Sequence, residues 1–115
     1  MRPEAHGVRY GLCGKMVATA GNGDVLAGYL LDAAASLEGV AGCHLYVVSR
    51  DPADADAVWI VEFWESAEAH RASLELSAVR ELITKARPII AAMGERFELD
   101  PIGGKGLDPG RLEER

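Results

Sequence analysis

The chain has 115 residues, of which 49% are hydrophobic and 26% charged, so it fits one globular domain and is not a largely disordered chain. Its formal net charge is −6 and its basic residues are scattered, which argues against a nucleic-acid partner, because phosphate binding needs clustered Lys and Arg. No apolar run has the length of a signal-peptide core or a membrane-spanning helix, so we expect a cytoplasmic protein without a membrane partner.

The first part of the chain predicts a strand followed by a helix. Residues 7–19 alternate and are rich in Val, Leu, Met and Tyr, which is typical of a strand. Leucine and alanine side chains then recur at helical spacing. We expect Asn22 or Asp24 to cap this helix and Gly39 to end it.

Two further strands are predicted on either side of a short polar turn. Residues 43–50 and residues 57–65 are dense in branched and aromatic side chains, and residues 51–56 between them are polar. The two strands should therefore pair as an antiparallel hairpin. If the hairpin is tight around that polar turn, Arg50 lies opposite Ala57.

The last part of the chain predicts two helical pieces and a final strand. Ser66 is a good N-cap for the first piece, and apolar side chains between residues 79 and 90 form one face of the second. Pro88 should kink or shorten that second piece. Residues 96–100 predict the final strand. The resulting order, βαββαβ, is that of a ferredoxin-like α+β fold, in which a four-stranded antiparallel sheet has both helices on one face.

The third predicted strand carries large apolar side chains on both faces, because side chains alternate across a strand. One face contains Trp59, Val61 and Phe63. Glu62 and Trp64 lie on the other, and two helices can cover only one of the two. Large exposed apolar patches mark interfaces, so we expect a homodimer through the first face, joined in a tight hairpin by Tyr46 and Val48. The alternative is that a loop or the tail covers it.

Three segments resemble a known family. They read GCHLYVVSRDP at residues 42–52, EFWESAEAH at residues 62–70 and GGKGL at residues 103–107. Together they resemble the antibiotic biosynthesis monooxygenase domain family, including its quinol monooxygenase-like members. The resemblance covers residues 7–107, one domain, and leaves residues 108–115 as a flexible tail.

The resemblance implies a dimeric α/β barrel with a pocket between sheet and helices in each subunit. Several members oxidise aromatic substrates with O2 and need no metal, flavin or haem. We therefore expect a cofactor-independent monooxygenase acting on a small phenolic, quinol or polyketide-like aromatic. Haem-degrading members match poorly, since residues 75–78 lack the histidine that ligates iron there. The alternatives are a non-catalytic aromatic-ligand-binding or stress-response protein, and a small-molecule isomerase.

Glu62 and His70 are the candidate catalytic residues. Burial in a mainly apolar pocket would raise the pKa of Glu62 and make it a general base toward a phenol, although it could instead hold a backbone amide or Arg50. Histidine shuttles protons near neutral pH, so His70 could deprotonate the substrate, whose anion then passes an electron to O2. The alternative is a solvated helix histidine, or one that pairs with Glu65 or Glu68.

The candidates for substrate binding are mostly aromatic. Trp64 and Tyr29 would grip an aromatic ligand, although Trp64 also fits an ordinary core position. Tyr46 falls opposite Val61 on the expected dimer face, and a one-residue slip would move it to the pocket. Arg50 could attract an anionic substrate, unless one of the neighbouring aspartates Asp51, Asp54 and Asp56 pairs with it.

The cysteine and histidine positions predict no metal site. Cys13 and Cys43 both fall inside predicted strands, where a cytosolic thiol usually behaves as a small buried hydrophobe and forms no disulfide. No Cys or His pair has the spacing of zinc ligands. His44 is expected on the dimer face, in a structural role.

Overall fold

The computed structural model describes residues 7–107, so the predicted tail at residues 108–115 lies outside the described part of the chain. The elements in chain order are β1 (Tyr10–Ala18), α1 (Gly23–Ser36), β2 (Cys43–Asp51), β3 (Asp54–Trp64), α2 (Ala67–Ser73), α3 (Ser77–Ala86), a 3-10 turn (Arg87–Ile89) and β4 (Ile90–Leu99). The strands form one antiparallel sheet in the order β2-β3-β1-β4. The predicted ferredoxin-like α+β fold is confirmed, with the second helical region divided into α2 and α3.

A carboxylate from β3 holds the start of α1. Asp56 accepts hydrogen bonds from the backbone N–H groups of Gly21, at 3.2 Å, and Gly23, at 3.0 Å. These N–H groups lie at a helix N-terminus, where the helix itself supplies no acceptor. A Cβ at Gly23 would lie 2.1 Å from the carbonyl oxygen of Ala55, so the close approach of α1 to β3 requires glycine here.

Asn22 occupies the N-cap position of α1, but the side-chain cap expected from Asn22 or Asp24 does not form, and Asp56 supplies the acceptor instead. The side chain of Asn22 caps no backbone group and instead donates to the hydroxyl of Thr19 at 2.7 Å. Asp24 lies in the first helical turn and pairs with Arg50. Gly39 has a φ of +81° just beyond the helix, as expected for the glycine that follows a helix end.

The turn between β2 and β3 is shorter than predicted. β3 begins at Asp54, so only residues 52 and 53 connect the two strands. The carboxylate of Asp51 closes this turn by accepting from the backbone N–H of Ala53 at 2.9 Å. The register of the two strands is irregular between Arg50 and Asp51, and this irregularity puts Arg50 opposite Val58 and not opposite Ala57.

This one-residue difference in register moves Tyr46 and Val48 to the other side of the sheet. Tyr46 lies opposite Glu62, and Val48 opposite Ile60, on the face that the helices cover. The expectation that both residues join the uncovered face is therefore wrong. A strand that slips by one residue exchanges all of its side chains between faces.

The helix-covered face of the sheet contains the hydrophobic core. Its largest fully buried side chains are those of Trp64, Leu26 and Val58. α1 packs on the three strands β1 to β3, and α2 lies against β3. Among residues 7–107, no helix is long and apolar enough to cross a membrane.

The opposite face of the sheet, which we call the open face, has no helix packed on it within residues 7–107. Trp59, Val61 and Phe63 are half-buried there, as the alternation along β3 predicts. One end of the open face is polar, since the indole N–H of Trp59 donates to Asp51 at 3.1 Å and the ammonium of Lys15 lies 5.7 Å from the Trp59 ring centroid. His44 lies at a register irregularity at the start of β2, and its Nε2 is buried without a hydrogen-bond partner in the described structure.

The end of the chain differs most from the prediction. α3 ends at Ala86, and Pro88 lies in the 3-10 turn that follows, so the expected shortening of the helix is confirmed. Ile90, which was expected on the helix, is the first residue of β4. β4 therefore begins six residues before the predicted start at Arg96, because proline ends the helix and the chain turns directly into the sheet.

Candidate active site

An apolar cavity of about 430 Å³ lies between the helix-covered face of the sheet and the helices. Most of its wall consists of Leu, Ile, Val, Ala and Met side chains. The polar or aromatic residues on that wall are Tyr29, Tyr46, Glu62, Trp64, His70, Ser73, Arg87 and Arg96. The sequence-predicted candidates Glu62, His70, Trp64, Tyr46 and Tyr29 are among them, and Arg50 is not. Cavities with apolar walls and few polar groups are the usual form of small-molecule sites.

Glu62 is a buried carboxylate on the cavity wall. Only 8% of the residue is exposed, because the alternation along β3 points it toward the helices. Its Oε1 accepts a hydrogen bond from the indole Nε1 of Trp64 at 2.9 Å. Burial raises the pKa of Glu62, while the Trp64 hydrogen bond and the positive charge of Arg96 oppose that rise.

His70 reaches the same point of the cavity from α2. Ser66 caps this helix by accepting from the backbone N–H of Ala69 at 3.0 Å, as predicted. The Nε2 of His70 lies 3.7 Å from the Oε1 of Glu62. Burial lowers the pKa of His70, and the positive charges of Arg96 and Arg71 lower it further, so the imidazole is neutral at neutral pH and able to accept a proton.

Two aromatic rings hold the imidazole of His70. The Tyr10 ring centroid lies 5.7 Å away, and the Trp64 ring meets the imidazole edge-on at 5.5 Å. Trp64 therefore has two contacts beyond core packing, one to His70 and one to Glu62. Two alternative pairings expected from the sequence are not found among the described residues. Glu62 does not pair with Arg50, and His70 pairs with neither Glu65 nor Glu68.

The remaining predicted binding residues lie in different places. Tyr46 faces the cavity, and burial together with the charge of Glu62 raises the pKa of its hydroxyl, which stays protonated. Tyr29 lines the cavity from α1. Arg50 lies outside the cavity, exposed, and pairs with Asp24, which is not among the aspartates predicted as its partners. Arg50 is therefore poorly placed to contact a ligand in the cavity.

Sequence reasoning missed Arg96 and Tyr10. Arg96 of β4 lies on the cavity wall, opposite Gly14 of β1. Tyr10 contacts His70 and donates its hydroxyl hydrogen to Glu98 at 2.9 Å. The alternation in the last strand gave no signal for Arg96, because it favours Phe97 and Leu99 on the face toward the helices; the pairing of β4 with β1 decides the face of Arg96.

Comparison with known proteins agrees with this architecture. The sequence model of the antibiotic biosynthesis monooxygenase family matches residues 14–85. A solved structure described as a candidate antibiotic biosynthesis monooxygenase, from Chloroflexus aurantiacus J-10-fl, is 48% identical to this chain. It covers 86% of this chain and 98% of its own, with a TM-score of 0.79. No curated protein matches the chain.

More distant structures share the fold. A candidate family member from Caulobacter crescentus CB15 is 16% identical, with a TM-score of 0.75, over 86% of this chain and 94% of its own. One from Deinococcus radiodurans is 22% identical, with a TM-score of 0.70, over 83% of this chain and 94% of its own. The family match spans well over half of the chain, and the Chloroflexus protein is similar along nearly its whole length. The chain therefore belongs to the antibiotic biosynthesis monooxygenase family.

Proposed function

We propose that the protein is a cofactor-independent monooxygenase that oxidises a small phenolic, quinol or polyketide-like aromatic with O2. The observation that carries this proposal is the pair formed by His70 and Glu62, 3.7 Å apart on the wall of an apolar cavity. Membership of the family supports the reaction class. The aromatic side chains on the wall, Trp64 and the tyrosines Tyr29 and Tyr46, suit a flat ring.

In this mechanism His70 is the general base and Glu62 the group that stabilises it. The neutral imidazole removes a proton from a substrate hydroxyl, and the resulting imidazolium faces the Glu62 carboxylate. A histidine oriented and stabilised by a carboxylate is a recurring arrangement for proton transfer. The hydrogen bond from Trp64 keeps the carboxylate in place at 2.9 Å.

The substrate supplies all four electrons. Its anion gives one electron to O2, and the resulting radical and superoxide combine to form a C–O bond. The peroxide anion takes the proton back from the His70 imidazolium, and the hydroperoxide then loses water as its O–O bond and the C–H bond at the same carbon break, which leaves a new carbonyl group. For a hydroquinone the balance is one quinol plus one O2 to one hydroxyquinone plus one water. The apolar wall keeps bulk water from the anion and the radical pair.

The test is O2 consumption with reduced menadione and related hydroquinones, using protein dialysed against a chelator. We expect uptake above the rate of autoxidation, with incorporation of one 18O atom from 18O2 into the product. A His70→Ala variant should lose this activity, whereas His44→Ala, which removes a histidine outside the cavity, should retain it.

Two results would reject the proposal or a part of it. Uptake equal to autoxidation across the whole hydroquinone panel would reject the monooxygenase. Unchanged kinetics in His70→Ala would remove His70 from the mechanism. A product that forms equally well without O2 would instead identify an isomerase built on the same base.

We also propose that the working form is a homodimer joined through the open face. Trp59, Val61 and Phe63 are only half-buried on this face, and Val47, opposite Val61 in the sheet, is 44% exposed. Phe97 and Leu99 of β4 are also exposed. Burying a residue of this size stabilises an association by about 1.5–3 kcal/mol before the costs of association are subtracted.

A further inference from the structure

Arg96 is a cation on the cavity wall that has no carboxylate partner among the residues the structure describes. Within residues 7–107, the ion pairs closer than 4.0 Å do not include it. Its position follows from its partner in the sheet, Gly14, where an added Cβ would meet the Cγ of Arg96 at 3.9 Å. That distance is an ordinary van der Waals contact, so the stem of Arg96 lies beside Gly14 on the cavity side of the sheet.

The acidic groups near Arg96 already have other partners. Glu62 accepts from the indole of Trp64, and Glu98, two residues along β4, accepts from the hydroxyl of Tyr10 at 2.9 Å. Burial raises the pKa of Glu62 and lowers that of His70, and the charge of Arg96 lowers both, so Arg96 is near enough to act on this pair. The guanidinium thus lies close to the proposed base and to the hydroxyl of Tyr10, where its charge opposes the rise in the pKa of that hydroxyl, and it has no carboxylate partner within residues 7–107.

Most of the other side chains on the cavity wall are uncharged. Among the residues that the structure describes, the only permanently charged cation on the wall other than Arg96 is Arg87. The chain as a whole is acidic, with a net charge of −6. Arg96 is solvent-exposed where it lines the cavity, so an anion can reach its guanidinium, which forms bidentate hydrogen bonds with carboxylates.

We propose that Arg96 binds an anionic substituent of the substrate, so that the substrate class is an aromatic carboxylate with a hydroxyl group, and this inference rests on the proposed function of the same cavity. The ring lies against the apolar wall, the hydroxyl group faces His70, and the carboxylate lies at Arg96. Arg96 is then a residue that determines specificity, and it takes over the anion-binding role that the sequence suggested for Arg50.

The test is calorimetric titration under anaerobic conditions with two unreactive probes of the same shape, 2-naphthoate and 2-naphthamide. Wild-type protein should bind the carboxylate about tenfold more tightly, the size expected of one charged hydrogen-bonded pair. Arg96→Gln should abolish this preference by weakening naphthoate alone, and Arg96→Lys should retain part of it. Arg80→Gln is the matched control, because Arg80 is exposed on α3 and lies outside the cavity.

A second variant should change the affinity in the opposite direction. Glu98→Gln removes a negative charge two residues from Arg96 and leaves an oxygen that can still accept from Tyr10. It should tighten the binding of naphthoate and leave that of naphthamide unchanged. Raising the salt concentration should weaken the naphthoate preference of the wild type.

Three results would overturn the inference. They are equal affinity of wild type for the two probes, a carboxylate preference that survives Arg96→Gln, and binding of neither probe. The proposed oxygenation fails on a different observation, since the probes cannot react. If the protein prefers the carboxylate probe but consumes no O2 with any hydroxylated aromatic carboxylate, the anion site is supported and the monooxygenase is rejected.

Discussion

The buried side chain of Glu62 lowers the free energy of unfolding by an amount that depends on pH. Its pKa is raised in the folded protein by burial, so the folded state binds the Glu62 proton more tightly than the unfolded state does. Above the folded pKa the buried ionised carboxylate therefore opposes folding. As the pH falls through the folded pKa toward the unfolded value, the residue becomes protonated and this cost disappears.

We therefore expect Glu62→Gln to be more stable than wild type at pH 8, by about 1 kcal/mol, a typical size for a single substitution. The amide oxygen can still accept from Trp64, so the hydrogen bond at 2.9 Å is preserved. The gain should shrink as the pH falls to 5. Urea unfolding at the two pH values measures both effects, with the exposed Glu68→Gln as the control. Lower stability of Glu62→Gln at pH 8 would show that the carboxylate stabilises the fold.

At the scale of elements, the position of α2 depends on one glycine before β2. A Cβ at Gly42 would lie 2.7 Å from the Cβ of Ala69, the residue beside His70 in α2. The carbonyl oxygen of Gly42 also accepts from the backbone N–H of Glu65 at 2.8 Å, directly before the α2 cap. The contact therefore fixes the distance from α2 to the sheet and, with it, the reach of His70 to Glu62.

Gly42→Ala should push α2 outward and destabilise the protein by about 1–3 kcal/mol, the usual effect of overpacking. Since His70 moves with the helix, its NMR titration should shift toward the ordinary histidine pKa as burial is lost. The double variant Gly42→Ala/Ala69→Gly removes the colliding methyl group and should restore the His70 titration. Failure of the double variant to restore it would mean that the contact does not position α2.

Much of this site could be predicted from local pattern, and the rest depended on pairing between distant segments. The alternation along β3 and the Ser66 cap place Glu62, Trp64 and His70 together, because both signals act within a few residues. The prediction for the face of Tyr46 was wrong because the register of β2 against β3 shifts at an irregularity between Arg50 and Asp51, and a regular tight hairpin has no such shift. Arg96 was missed because its place on the wall depends on β4 pairing with β1, eighty residues earlier in the chain.

At the scale of the whole molecule, the helices of the described part of the chain cover the sheet on one side only. The helices pack on the face that carries the cavity, and the open face keeps its aromatic and branched side chains half-buried or exposed. An apolar surface of this kind is unusual for a monomer. At its polar end Lys15 lies between Asp51 and Glu95, so the two ends of the open face differ in polarity.

We expect sedimentation velocity to show a dimer at micromolar concentration and Val47→Asp to shift it to monomer. The new charge would be buried against the apolar residues of the partner, which is costly without a counter-charge. Leu31→Asp is the matched control, because Leu31 is 56% exposed on α1, away from the sheet. A monomeric wild type, or a dimer that tolerates Val47→Asp but not Leu31→Asp, would contradict association through the open face.

The two tryptophans of the chain lie on opposite faces of β3, so their intrinsic fluorescence reports on two different surfaces of the protein. Trp64 is fully buried beside the cavity, bonded to Glu62, so its emission responds to whatever enters the site. Trp59 lies half-buried on the open face, so its emission responds to subunit contact. Single-tryptophan variants with phenylalanine at the other position thus separate the two signals, and ligand entry and assembly can be followed independently without an attached dye.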